Sequence, residues 1–141
     1  MANLTRNDKF YQKKSVSVFT GRLVEGEDGV RAETVNYKLA NLPADSLVTN
    51  AYVLVETASN AATSAAATLG TAEGGAQLLT AVNLKTLGKQ GTFAGIKTTG
   101  TGAELWLNTT ITGAATAAAK YLVVVEYLEH TKTTGEYTSF D

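Results

Sequence analysis

Residues Ala118 to Leu128 read AAKYLVVVEYL, and this run decides the fold. Three consecutive β-branched valines flanked by tyrosines, with no Gly or Pro among them, suit the pleated surface of a strand better than a helix. The run is predicted to be a central strand. A second run, Asn50 to Thr57 (NAYVLVET), is apolar on both parities and is expected to be covered on both faces. Glu104 to Asn108 (ELWLN) alternates cleanly, with Leu105 and Leu107 on one face and Glu104, Trp106 and Asn108 on the other.

Working outward from these runs, Ser15 to Glu25 (SVSVFTGRLVE) places Val16, Val18 and Val24 on one parity. Val30 to Leu39 (VRAETVNYKL) places Val35, Tyr37 and Leu39 on another. Both are predicted half-buried strands, joined through Gly26, Glu27, Asp28 and Gly29 as a hairpin with an acidic tip, because Asp-Gly supplies the positive dihedral of a tight reversal. Pro43, the chain's only proline, breaks the pattern before the third strand. Ala58 to Ala67 is crowded with Thr and Ser and lacks large apolar residues at helical spacing, so it reads as a loop entering a strand near Ala66 to Leu69. Leu78, Leu79 and Val82 are spaced for one or two helical turns. Five glycines between Gly88 and Gly102 predict turns around a short strand near Phe93 to Lys97, and Thr112 to Ala115 reads as a turn.

About seven short strands joined by Gly-rich and Thr-rich turns, without a strong long helix, predict an all-β fold rather than a βαβ fold. The expected architecture is an antiparallel β-sandwich of jelly-roll type with an extended N-terminal arm. Residues 1–14 form the arm, 15–129 the sandwich domain and 130–141 a polar C-terminal tail, HTKTTGEYTSFD.

The 141 residues suffice for one domain with one core. Twelve basic against thirteen acidic residues leave no global positive field for nucleic acid. The absence of cysteine excludes disulfides, thiolate metal sites and cysteine nucleophiles. The first 14 residues hold no apolar stretch of signal-peptide length, and the longest apolar run, Tyr121 to Val125, is far short of a membrane helix. The chain is expected to be made and kept in the cytosol, with no membrane partner.

Little in the chain favours catalysis. His130, the only histidine, falls in the tail, where a base lacks the support it needs. Glu33, Glu56, Glu104 and Glu126 sit in strands, but none is marked as one of a pair facing an apolar cleft. Glu25, Glu27 and Asp28 lack the ordered Asp and Asn alternation of a calcium loop, although a cation at the tip stays open. No phosphate-binding lysine loop and no GxGxxG opening a helix accompanies the glycines. No cofactor is expected.

The features that favour contact are different. Arg6, Lys9, Lys13 and Lys14 interleave with Phe10 and Tyr11 in the arm, a pattern that suits docking onto a neighbouring protein with aromatic anchors. The tail adds Tyr137 and Phe140. If Leu105 and Leu107 face the core, Trp106 faces outward and adds apolar area to a contact, unless that face is itself covered. Thr and Ala make up about three residues in ten, and from Leu39 to Leu84 there is no Lys or Arg. Such a surface of small neutral side chains loses little rotamer freedom on burial and points to assembly.

The basic arm, SVSVFTGRLVEGEDGVRAETVNYKL, NLPADSLVTNAYVLVET, TLGTAEGG and the closing KYLVVVEYLEH together resemble small virion structural proteins of tailed bacteriophages, in particular capsid decoration or cement proteins with β-sandwich folds. The likeness spans roughly residues 15 to 128 and rests on strand pattern. It implies copies made in the host cytoplasm and bound outside an icosahedral head, as homotrimers that contact the major capsid protein and bridge capsomers. The alternative is a carbohydrate-binding jelly-roll module of a phage fibre or bacterial surface protein, with Trp106 or loop tyrosines stacking on sugar rings.

Overall fold

A computed structural model describes residues 16–24, 34–113 and 119–129. Within them the chain forms β1 (Ser17–Val24), β2 (Thr34–Leu42), β3 (Ser46–Thr57), β4 (Ser64–Gly70), β5 (Leu79–Asn83), β6 (Gly88–Gln90), β7 (Thr92–Phe93), β8 (Lys97–Thr98), β9 (Ala103–Thr112) and β10 (Lys120–Glu129). The described residues include no helix.

Two antiparallel sheets pack face to face. The first runs β1-β10-β3-β6, with β8 on the same side of β3 as β6; the second runs β2-β9-β4-β5-β7. The chain changes sheet at nearly every connection, so strands adjacent in sequence mostly face each other across the core instead of pairing. β10 lies between β1 and β3, the central place its apolar run demands. The all-β antiparallel sandwich expected from the sequence is the fold observed.

Period-two alternation builds the core. Tyr121, Val123 and Val125 of β10 and Val53 and Val55 of β3 point inward from the first sheet. Leu105, Leu107 and Ile111 of β9 and Leu69 of β4 meet them from the second. Each large aliphatic residue buried this way contributes about 1.5–3 kcal/mol relative to exposure.

Four local expectations need correction. Residues 15–39 are not a hairpin, since β1 pairs with β10 in one sheet and β2 with β9 in the other. The acidic tip, Glu25 to Gly29, lies outside the described residues. The parity of β1 is also reversed: Phe19 packs on the core and Leu23 is buried within it, while Val16 and Val18 are 55% and 52% exposed. The larger side chains take the inward positions opposite Val125 and Tyr121. β3 is buried on one face only, with Tyr52 and Leu54 half-exposed on the other.

The fourth correction concerns Leu78 to Val82, which form no helical turn. Leu79 and Val82 both point inward because β5 carries a bulge. Leu79 pairs with Leu69 and Val82 with Ala67, so two residues of β5 oppose Thr68 alone, and Ala81 takes φ +56°. One extra residue turns the strand period of two into a spacing of three, which imitates a helix in the sequence.

The corner at Pro43 is closed by hydroxyls. The Pro43 carbonyl accepts from Ser46 Oγ at 2.9 Å and from Thr99 Oγ1 at 2.7 Å, and Thr99 Oγ1 accepts the Ser46 N–H at 2.9 Å. Ser46 is fully buried there, with its polar atoms satisfied.

Candidate interaction surface

The outward face of the second sheet collects the neutral residues singled out in the sequence. Register places Thr34, Thr110 and Ala66 in one row, Asn36, Asn108 and Thr68 in the next, and Lys38, Trp106 and Gly70 in the third. Ser64, Ala66, Thr110 and Thr112 are exposed. The stretch without Lys or Arg supplies β4 and β5, so the middle of this face is made of short neutral side chains, with Lys38, Glu104 and Trp106 along one side. Such a surface presents few charges whose desolvation opposes contact with another protein, and its hydroxyls and amides can hydrogen-bond a partner.

A loop folds over part of it. Asn108 Oδ1 accepts the Gly74 N–H at 2.9 Å, and Asn108 Nδ2 donates to the Gly75 carbonyl at 2.7 Å. Thr68 Oγ1 donates to the same carbonyl at 2.9 Å, and Asn36 Nδ2 donates to Glu73 Oε1 at 3.2 Å. Asn108 is thereby buried although it faces away from the core. The loop leaves a shallow hollow lined by Thr34, Asn36, Ala66, Thr68, Asn108 and Thr110. None of these six side chains titrates near neutral pH, so the hollow offers shape and hydrogen bonds without an acid or base.

Beside the loop, Glu104 joins two neighbours. Lys38 Nζ approaches Glu104 Oε1 at 2.7 Å, and Trp106 Nε1 donates to Glu104 Oε2 at 2.8 Å. The Lys38 hydrogen bond first, the Trp106 indole second and the Lys38 charge last hold the Glu104 carboxyl below the usual glutamate range against a small opposing effect of burial. A carboxylate held low is ionised at neutral pH and makes a poor general acid.

Trp106 sits on the outward parity, as its alternation with Leu105 and Leu107 predicts, but it is half-buried. Its ring is flanked in register by Lys38 and Gly70 and tied to Glu104, so it forms part of a braced polar patch rather than a free anchor. Arg6, Lys9, Phe10, Tyr11, Lys13, Lys14, His130, Tyr137 and Phe140 lie outside the described residues. Lys38 was not visible as a site residue, because its link to Glu104 depends on the pairing of β2 with β9. Among the described residues no three His, Asp or Glu side chains stand together as metal ligands would.

No protein-family model matches the chain, and no curated protein matches it in sequence. Among solved structures it is similar to a chain of the cyanophage Pam1 capsid asymmetric unit, with a TM-score of 0.60 and 18% identity over 82% of this chain and 85% of that one. At that identity the likeness is one of fold.

Proposed function

We propose that the protein is a non-enzymatic structural component of a phage virion, a decoration or cement protein that binds the outside of the capsid, contacts the major capsid protein and stabilises neighbouring capsomers as a homotrimer. The observation that carries this reading is the fold shared, over most of both chains, with a chain of a phage capsid asymmetric unit. The strand order supports it, since β1-β10-β3-β6 opposite β2-β9-β4-β5 is compatible with the interleaving expected of a jelly roll, an architecture frequent in capsid proteins. The neutral outward face of the second sheet suits docking on a shell: weak contacts made by each copy add up when neighbouring sites repeat. The basic, aromatic arm of residues 1–14 supplies further adhesive contacts.

Co-sedimentation of the full chain with heads that lack it tests the reading. Saturable binding, with heads that then withstand heat or chelation better, is the expected result; free protein at every concentration refutes it.

Carbohydrate binding has one observation in its favour, the half-exposed Trp106 ring beside the Glu104 carboxylate, a pairing that can stack on and hydrogen-bond a sugar. A glycan array separates the two readings: a cement protein leaves it blank.

A further inference from the structure

We infer that the basic arm of residues 1–14 docks in cis on the end of its own sandwich, bringing Phe10 and Tyr11 to the hollow at the Pro43 corner and its cations to Asp45, Glu126 and Glu129. The inference goes beyond the capsid reading and does not depend on it.

The described charges are sorted along the strands. β1 starts at Ser17, level with Tyr127 of β10 and Val48 of β3, and ends at Val24, opposite Lys120. The end that holds Ser17 also holds Glu126 and Glu129 of β10 and Asp45, the residue before β3. Lys38 is already paired with Glu104 there, which leaves Lys97 as the one described cation facing those three acids. The far end holds Arg22, Lys85, Lys89 and Lys120 against Glu56. The arm carries Arg6, Lys9, Lys13 and Lys14 against Asp8, so a basic segment enters the fold at its acidic end. The acids among residues 25–33 follow Val24 at the far end, about 23 Å from Ser17 along β1 and beside the four cations.

The acidic end also offers a seat for a ring. A hollow of about 290 Å³ lies at the Pro43 corner, lined by Leu42, Ala44, Thr101, Gly102 and Ala103, with Glu104 on its wall. Reach matches both partners. Lys13 and Lys14 lie within about 10–14 Å of Ser17 along the chain, and neighbouring strands are about 4.8 Å apart, so β10 and β3 are within their range. Phe10 and Tyr11 reach about 20–25 Å, enough to cross the roughly 10 Å between sheets to the corner that follows β2. Each exposed ion pair contributes little, so a few cannot hold separate molecules together at ordinary concentrations; a short tether keeps the two parts at an effective concentration on the order of millimolar. The contact is therefore one within a chain. A partner that engages the arm must displace it from this end, and salt eases the release by screening the pairs.

A nitroxide on Asn7→Cys of the full chain tests this, because the chain has no other cysteine. In about 10 mM salt it is expected to broaden the amides of Ala44, Asp45 and Gly102, and the effect should fall about threefold in about 1 M salt, where the screening length drops from about 30 to about 3 Å. The same fall is expected at low salt in Lys13→Glu with Lys14→Glu and in Phe10→Ser with Tyr11→Ser, changes that lie ahead of the core and leave its folding alone. Asp45→Asn, which tolerates the φ of +53° at that position, should give a partial fall. Broadening that ignores salt and every substitution comes from the tether alone and overturns the inference, as does broadening centred on Lys85 and Lys120. So does broadening of an unlabelled isotope-enriched chain by a spin-labelled one, which would put the arm on a second copy. Binding to heads without docking of the arm removes this inference alone, and docking without binding to heads removes the capsid reading alone.

Discussion

Asn108 holds Gly74 against the outside of the second sheet, accepting its N–H at 2.9 Å from a position that faces away from the core. With its second bond, to the Gly75 carbonyl, this one side chain satisfies two backbone groups of the loop. Asn108→Leu removes the acceptor of the Gly74 N–H and one of the two donors to the Gly75 carbonyl, which keeps Thr68, at a cost of about 1–3 kcal/mol. Chemical denaturation gives the loss, and amide exchange at Gly74 should accelerate more than exchange in β10. Equal acceleration everywhere would show that the loop has no separate stability for Asn108 to supply.

Gly91 is fixed by two constraints at once. Its φ of +103° disfavours any side chain, and a Cβ there would lie 2.7 Å from Cγ of Leu79, a fully buried core residue. Gly91→Ala must strain the backbone and displace a core leucine together, for a loss on the order of 2–4 kcal/mol. Gly95, at φ +104° with open space around it, is the control: Gly95→Ala carries the backbone cost without the clash and should lose less. Equal losses in the two variants would place the whole effect in the backbone.

The strands that carried the fold in the sequence were those with an uninterrupted pattern. In β9, Leu105 and Leu107 alternate with Glu104 and Trp106, and the burial follows. In β10, Leu122 and Val124 are apolar on the parity that does not face the core, where they lie in register with Leu54 and Tyr52 of β3. Where the pattern misled, a local rule had been replaced by a tertiary one. The bulge at Ala81 brought Leu79 and Val82 to one side, and β1 was oriented by Phe19 and Leu23 rather than by its valines. The Asn108 clamp and the Lys38 to Glu104 link were not legible, because each joins segments more than 30 residues apart through pairings that no single run encodes.

Thr99 is the hinge pin of the Pro43 corner, donating to one backbone group and accepting from another. Thr99→Val keeps the shape and removes both bonds, leaving the N–H of buried Ser46 without its acceptor. The expected loss is about 2 kcal/mol in urea, while Thr99→Ser, which retains the hydroxyl, should lose less than half of that. A valine variant as stable as the parent would mean that the corner is held by β3 pairing alone.

Deletion of residues 1–14 should leave the sandwich folded, since the core is assembled from β1 onward, and should weaken binding to heads by tenfold or more. Far-ultraviolet circular dichroism and co-sedimentation separate the two effects. Undiminished binding by the truncated chain would take the adhesive role from the arm and leave it to the outward face of the second sheet.

Trp106 is the chain's only tryptophan, so its emission reports directly on the carboxylate it is bonded to. Because Lys38 and Trp106 lower the Glu104 pKa in the folded chain, the stability they lend is fully present above the ordinary glutamate range. It is lost as pH falls through the depressed folded-state value. Titrated on the acid side, the emission of the folded protein should change with a midpoint below that of a free glutamate side chain. Lys38→Met removes the largest cause and should move the midpoint up toward the ordinary value, and Glu104→Gln should abolish the transition while the protein stays folded. A parent midpoint at or above the ordinary glutamate value would show that the Lys38 contact does not persist in solution.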